Sequence, residues 1–382
     1  MTLGALAVSG CGPTTAASPK SQVSSAVVRA SLATSIETSA GSWAVVPMGH
    51  LDQPLNTFWQ LLFRPAGASA WSDRASALAV ATNGGLIVAT RGGESLAVGI
   101  RSAAKLSYSP LIVTSDARSW FPADPVGALA EQPDALAIAA GGEALALVGE
   151  GRAAQVLVSP AALTSWRSLV SERALAASPP GRACGIVSLT AVGYSAGHRL
   201  IGASCRRGGV VGIFTEQDSA WRLVGPGLPQ PFGHSSTEVL GLQTTTAGLC
   251  ALVGITGRRS AQLVAACTRG SRLTWRVSPA LLLAGPEGVV SFGPAGKVGL
   301  FALISGSAHP DTLAVLGESH MTWSTLRSPP ARTATVVFAP AGRVDALVVD
   351  DTSFADWRLA GGGRRWSKEQ NLHVAIQFGS SG

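Results

Sequence analysis

Lysine is almost missing from these 382 residues, with four present against 25 arginines, and only 13% of the chain is charged. Tyrosine occurs twice and methionine three times. The two tyrosines, Tyr108 and Tyr194, leave little choice for any chemistry that uses a phenol. No apolar run reaches 18 residues, which excludes a membrane-spanning helix of ordinary length. H-x-H, HExxH and C-x-x-C are absent, so the common zinc spacings are excluded, and GPAGKV around Lys297 is too short for a Walker loop. No segment holds a helical period for three turns, which argues against a parallel α/β fold. The net charge of +7 is spread over loop positions such as Arg206-Arg207, Arg258-Arg259 and Arg364-Arg365 rather than one stripe with interleaved aromatics. That pattern points to solvated turns and away from nucleic acid.

What the chain does have is 46% hydrophobic residues, 45 Gly, 22 Pro and ten Trp. Short apolar runs ended by Gly or Pro, such as DALAIAAGG, ALALVGEG and AQVLVSP after Trp120, read as strands. The length fits two ordinary domains or one large β-architecture.

The first residues, MTLGALAVSGC, end in Val8-Ser9-Gly10-Cys11. This resembles the lipobox of bacterial lipoproteins, which implies cleavage before Cys11 and lipidation of its thiol, although no basic n-region precedes it. Residues 12–41 are rich in Ser, Thr, Ala and Pro and read as a flexible tether, after which 42–382 forms the folded domain.

The four remaining cysteines make an even set in a chain read as exported. Cys250 and Cys267 flank the turn Gly257-Arg258-Arg259-Ser260, and their midpoint, 258.5, is the centre of that turn. They face each other across a hairpin, where opposed Cα atoms lie about 4.5 Å apart, within disulfide reach. Cys184 and Cys205 centre on 194.5, inside Gly193-Tyr194-Ser195-Ala196-Gly197. Two disulfides across two hairpins are expected, and with them an oxidising compartment.

Trp71, Trp120, Trp166, Trp221, Trp275, Trp323 and Trp366 recur at intervals of 49, 46, 55, 54, 48 and 43 residues. Each closes an eight-residue frame, among them VTSDARSW, SPAALTSW and FTEQDSAW, and the preceding residue is Ala, Ser or Thr in six of the seven. These frames resemble the Asp-box, S-x-D-x-G-x-T-W, of the BNR and sialidase-like propellers, in which a tight hairpin joins the two outer strands of a blade. VTSDARSW keeps Asp116 and Trp120 without the Gly; SPAALTSW keeps Ser159, Ser165 and Trp166 without the Asp. Kelch repeats also place Trp in an outer strand, but the Gly-Gly pairs here fall at irregular offsets. The resemblance implies an all-β, seven-bladed propeller of four-stranded antiparallel blades, six or eight being alternatives. The last run, LHVAIQF at 372–378, is expected to complete the first blade and close the ring by pairing N- and C-terminal strands.

The chemistry is thin. GYSAG spells the G-x-S-x-G nucleophile elbow, but a hairpin tip lacks the strand-to-helix corner that exposes the serine, and His198 sits in the same turn. The sialidase resemblance implies a Tyr nucleophile with a Glu, an Asp acid/base and three Arg gripping a carboxylate; LFRPAG faintly resembles that family's F-R-I-P motif and nominates Arg64. Asp345, Asp350, Asp351 and Asp356 in DALVVDDTSFAD read as an acidic loop beside a strand rather than a cation site. We therefore expect no catalytic, cofactor or metal residues. The expected protein is a monomeric, lipid-anchored propeller outside the cytoplasmic membrane, binding a protein or glycan at one face. The stapled turns at 193–197 and 257–260 are expected on that same face. The alternative is a sialidase-like glycoside hydrolase.

Overall fold

The computed structural model describes residues 34–49, 57–74, 85–101, 111–123 and 133–374, apart from position 92 and gaps of one to four residues at loops beyond 133. Cys11, the segment before Thr34, Tyr108 and the end of the chain after Val374 lie outside the described residues.

The chain folds as consecutive four-strand antiparallel meanders. The first is β1 (Thr34–Thr38), β2 (Gly41–Gly49), β3 (Thr57–Pro65) and β4 (Ser72–Asp73). The second is β5 (Gly85–Arg91), β6 (Ser95–Arg101), β7 (Leu111–Thr114) and β8 (Phe121–Pro122). The third is β9 (Ala135–Ile138), β10 (Ala144–Val148), β11 (Gln155–Ser159) and β12 (Arg167–Ser171). The fourth is β13 (Ile186–Ser195), β14 (His198–Cys205), β15 (Gly212–Gln217) and β16 (Ala220–Leu223). The fifth is β17 (Ser236–Thr244), β18 (Leu249–Thr256), β19 (Ala261–Arg269) and β20 (Arg272–Val277), with β21 (Leu281–Leu283) extending its outer edge. The sixth is β22 (Gly288–Pro294), β23 (Gly299–Ser305), β24 (Thr312–Gly317) and β25 (Thr322–Thr325). The last is β26 (Thr333–Ala339), β27 (Arg343–Asp350), β28 (Ser353–Leu359) and β29 (Trp366–His373). The fourth and fifth meanders merge into one nine-stranded sheet, because β14 also pairs with β17 at Ser204–Glu238 and Cys205–Thr237.

The meanders are the blades of a β-propeller. Their first strands pack side by side from β1 through β5, β9, β13, β17, β22 and β26, and β26 returns to β1. An apolar cluster fills each junction between neighbours. Trp43, Trp59 and Phe63 of the first blade meet Leu86 and Val98 of the second, and Val46 and Trp71 of the first meet Leu347 and Phe354 of the last. The middle strands are covered on both sides, so β10 is buried along its whole length and reads as continuous apolar sequence. The fourth strands face water on one side: in β29, Ser367, Lys368 and Glu369 are exposed. This division explains how so little charge suffices.

Three expectations need correction. Thr34–Thr38, inside the stretch read as tether, is a strand: it pairs with Val45–Gly41 as the first blade's inner strand. The ring does not close by strand exchange among the described residues: the first blade takes all four strands from 34–73, and β29 pairs with β28 in its own sheet. Side chains close it instead. Gln370 receives the Trp71 amide N–H at 2.7 Å and donates to the Trp71 carbonyl at 3.0 Å, and the Ser35 hydroxyl donates to the Val336 carbonyl at 2.8 Å. Finally, two short helices, α1 (Glu172–Ala177) and α2 (Pro179–Cys184), link the third and fourth blades. Each is too short to show a period. Their caps carry the signal: Ser171 and Ser178 accept from Ala174 and Gly181 N–H, Pro179 starts α2, and Gly185 ends it at φ 65°.

Each of the seven repeating tryptophans stands within a blade's fourth strand or immediately before it, six of them within one residue of its start and Trp275 three residues in. The indole reaches back to the blade before it. Trp275 Nε1 donates to the Val224 carbonyl at 2.6 Å, Trp323 Nε1 to Ser278 Oγ at 3.0 Å, and Trp366 Nε1 to the Arg327 carbonyl at 3.3 Å. Trp71, Trp120 and Trp166 pack in the same place, but their buried N–H groups find no partner among the described residues. Trp275→Phe should therefore lower stability by about 1–2 kcal/mol more than Trp120→Phe, because only the first strands a buried carbonyl. Urea midpoints of the two variants decide it, and equal losses would show that ring packing alone matters.

Candidate functional site

In an antiparallel meander the first-to-second and third-to-fourth connections lie on one face of the ring, here called the hairpin face. The second-to-third connections and the links between blades lie on the other, the link face. Cys184–Cys205 and Cys250–Cys267 are both disulfide-bonded. Cys250 and Cys267 pair directly across β18 and β19, whose turn spans 257–260 as the midpoint requires. The other midpoint is displaced. Ser195 pairs with His198, so the turn is Ala196-Gly197, and two register shifts in β13 plus the end of α2 absorb the difference. Both turn residues have positive φ, 49° and 81°, as a two-residue hairpin turn demands. Ser195 is the buried last residue of a strand, not an exposed nucleophile at a strand-to-helix corner. The two tips also do not share a face: 196–197 joins a first strand to a second, whereas 257–260 joins a second to a third.

At the hairpin face the third and fourth blades meet through polar side chains. Glu143 lies in the β9–β10 connection, and Tyr194 and Arg199 flank the β13–β14 turn. Arg199 donates from Nε to Glu143 Oε1 at 2.8 Å and from Nη2 to Oε2 at 2.6 Å, a two-pronged grip, and the Tyr194 hydroxyl donates to Oε1 at 3.1 Å. Glu216 stands 4.0 Å from the far side of Arg199. The guanidinium hydrogen bonds hold the Glu143 carboxyl below its ordinary range. Burial, and then the neighbouring Glu143 charge, push the Tyr194 phenol up. Both displacements keep the proton on the phenol. A tyrosine nucleophile needs the reverse, a carboxylate free to take that proton.

The second polar group sits between the last blade and the first. Arg64, on β3, is 3% exposed and donates from Nη1 to Asp345 Oδ2 at 2.6 Å and from Nη2 to Ser42 Oγ at 3.3 Å. Its guanidinium lies 4.6 Å from the centre of the Trp71 ring. Arg343 Nε reaches Asp345 Oδ2 at 2.7 Å, Arg358 Nε approaches Oδ1 at 3.5 Å, and Asp356 Oδ2 lies 3.5 Å from Arg343 and 3.9 Å from Arg64. Both aspartates are fully buried, and Asp356 Oδ1 has no hydrogen-bond partner. The F-R-I-P resemblance implies an arginine that grips a substrate carboxylate; this arginine is held by a carboxylate of the protein itself. Of the other acids in that segment, Asp350 pairs with Arg332 at the surface and Asp351 forms a turn at φ 42°. No cluster of three His, Cys, Asp or Glu side chains able to hold a metal occurs among the described residues.

The Asp116 turn shows how the degenerate tryptophan frames fold. Its carboxylate receives the Arg118 N–H at 2.8 Å, the Ser119 N–H at 2.7 Å and the Ser119 hydroxyl at 3.0 Å, and the Ser119 and Arg118 N–H bonds hold its pKa down to about 2. Three residues before the tryptophan, where the Asp-box carries Gly, Ala117, Leu163 and Asp218 all adopt positive φ of 60°, 55° and 51°. Asp116 itself stands four residues before Trp120, one later than the pattern.

No protein-family model matches this chain, and no curated protein matches it. Solved structures are similar in shape. A candidate 6-phosphogluconolactonase from Bacteroides fragilis matches with a TM-score of 0.50 at 8% identity, covering 86% of this chain and 94% of that one. The SapL1 lectin bound to alpha methyl fucoside gives 0.47 at 13% identity over 80% and 99%. The β-propeller domain of Myceliophteria thermophila Cps50 gives 0.46 at 10% identity over 87% and 95%. Likeness at these identities is one of fold and carries no ligand with it.

The ring-closing cluster makes a pH prediction. Burial, and then the Asp345 charge, raise Asp356 from 3.8 to about 6, and burial also raises Glu37, which faces Ser42, Arg64 and Asp345. A carboxyl whose folded pKa is raised stabilises most below its unfolded value, and that contribution is lost as pH rises through the folded one. Wild type should lose stability between about pH 4 and pH 6, and Asp356→Asn should flatten that decline and be the more stable protein at pH 7. Displacement from 3.8 to about 6 is worth up to about 3 kcal/mol. Urea unfolding of both proteins at pH 4 and pH 7 measures it; an equal or steeper decline in the variant would refute the assignment.

Proposed function

We propose that this protein is an exported, lipid-anchored propeller of the BNR/Asp-box kind that works as a non-catalytic binding or assembly module at the bacterial cell surface, as a monomer. The observation that carries the non-catalytic reading is the pairing of its chemically capable side chains with one another across blade junctions. Arg64 is spent on Asp345, and Arg199 and Tyr194 on Glu143. Two disulfides favour an oxidising compartment, in keeping with the lipobox-like Val8-Ser9-Gly10-Cys11. The tryptophan at each outer hairpin and the Asp116-capped turn favour the Asp-box kinship. A protein or glycan would bind at one face of the ring.

The glycosidase alternative has one contact in its favour, the Tyr194 hydroxyl 3.1 Å from Glu143. Assay with a fluorogenic sialoside should give no turnover above buffer. Turnover that disappears in Tyr194→Phe and in Glu143→Gln, with both variants folded, would replace the binding reading with the enzymatic one. Mass spectrometry of the native protein should find diacylglycerol on an N-terminal Cys11. A mature chain that retains residues 1–10, with an unmodified Cys11 thiol, would remove the anchor.

A further inference from the structure

Arginines that are dispersed in sequence converge on the link face of the third and fourth blades. The turn Gly151–Ala153 packs against α1, α1 packs against α2, and Cys184 at the end of α2 is bonded to Cys205, at the start of the 206–211 connection. The Arg206 and Arg207 amides donate to the Gly185 and Cys184 carbonyls, both at 3.0 Å, which fixes that connection beside the helices. On this frame Arg152, Arg173, Arg182, Arg206 and Arg207 are all exposed. Arg182 donates to the Ala177 carbonyl. None of the five lies within ion-pair distance of a carboxylate among the described residues, in contrast to the paired Arg199, Arg332, Arg343 and Arg358.

The rest of the patch is small and apolar. Ala174, Ala177, Pro179 and Ala183 are exposed on the two helices, and Val187, just beyond them, is 47% exposed. Among the described residues, no exposed aromatic or amide side chain stands with them to stack on a base or a sugar. Cations set among small apolar groups on a rigid, disulfide-held surface suit the headgroup layer of an anionic bilayer. The direction of β1 agrees. Thr34 is at the link-face end of β1, on the same face of the ring that carries the arginines.

We infer that the link face around α1 and α2 is a membrane-facing surface, and that its partner is the headgroup layer of anionic phospholipids. The inference rests on the surface-anchored reading above for the presence of a membrane, but the arginines need no acyl chain to act. The test uses the full chain as Cys11→Ser, so that no lipid contributes, sedimented with vesicles of equal phosphatidylglycerol and phosphatidylcholine and with phosphatidylcholine alone. Binding to the anionic vesicles only is expected, weakening as salt rises. Arg206→Gln with Arg207→Gln should lower partitioning roughly 25-fold, at roughly fivefold per arginine, and Arg118→Gln on the hairpin face should leave it unchanged. Equal binding to neutral vesicles, no binding to either, or an equal loss in Arg118→Gln would overturn the inference. So would single-stranded DNA that binds through the same two arginines and displaces the vesicles at low ratio. An unmodified Cys11 in the native protein defeats the anchor alone, and the vesicle result still decides this surface.

Discussion

The Arg64–Asp345 contact joins residues 281 apart in sequence, and the ring depends on it. A propeller that closes by exchanging a strand ties its ends with a ladder of backbone hydrogen bonds; among the described residues this one has side chains for the purpose. The Arg64 guanidinium, the Gln370 amide on the Trp71 backbone, the Ser35 hydroxyl and the Trp71–Phe354 edge contact share the task. The guanidinium groups of Arg64, Arg343 and Arg358 stand against Asp345 and Asp356. The geometry favours Asp345, which is bonded from several sides, and leaves one oxygen of Asp356 without a partner. Removing Arg64 or Asp345 is expensive because it leaves a buried partner unpaired, whereas neutralising the poorly matched Asp356 keeps that bonded pair, and the set as a whole contributes little net stability. Its value is in directing the last blade to the first and in register.

Reinforcement is uneven around the ring. The fourth and fifth blades share one sheet, each carries a disulfide, and the tryptophan of the fifth donates to the chain just past the fourth's outer strand. The first three blades have tryptophans whose indole N–H groups are unpartnered among the described residues. Burying such a donor costs free energy that the apolar ring area has to offset. The tryptophan repeat is thus one packing device with a hydrogen-bonded version and a bare version.

Much of this architecture was legible because it is local. A tryptophan every 43 to 55 residues marks one hairpin per blade, and a cysteine pair centred on a Gly-bearing turn marks a staple, since both depend on neighbours within a few dozen residues. The closing contact was not legible. Arg64 drew attention through a motif, but its partner is 281 positions away and nothing near either residue announces the other. The strand Thr34–Thr38 was read as tether because it is a polar strand in a polar stretch, half-buried by the ring's interior rather than by its own pattern. The position of the first staple was displaced because register shifts in β13 leave no trace in spacing.

The same limit explains why the charge looked featureless. Arg152, Arg173, Arg182, Arg206 and Arg207 come from three separate connections, and only the order of strands within a meander places those connections on one face. The hairpin face has the opposite character between the same two blades, since Glu143, Arg199 and Glu216 are engaged with one another across the junction. A polar group already satisfied inside the protein gains little from a ligand, because the exchange replaces one good partner with another. An exposed guanidinium without a carboxylate gains the whole of the attraction, less what water and salt screen. Between the third and fourth blades, the side that can select a charged partner is therefore the one where five arginines are gathered without carboxylates, and the disulfide that holds those connections in place reduces the order they must acquire on binding.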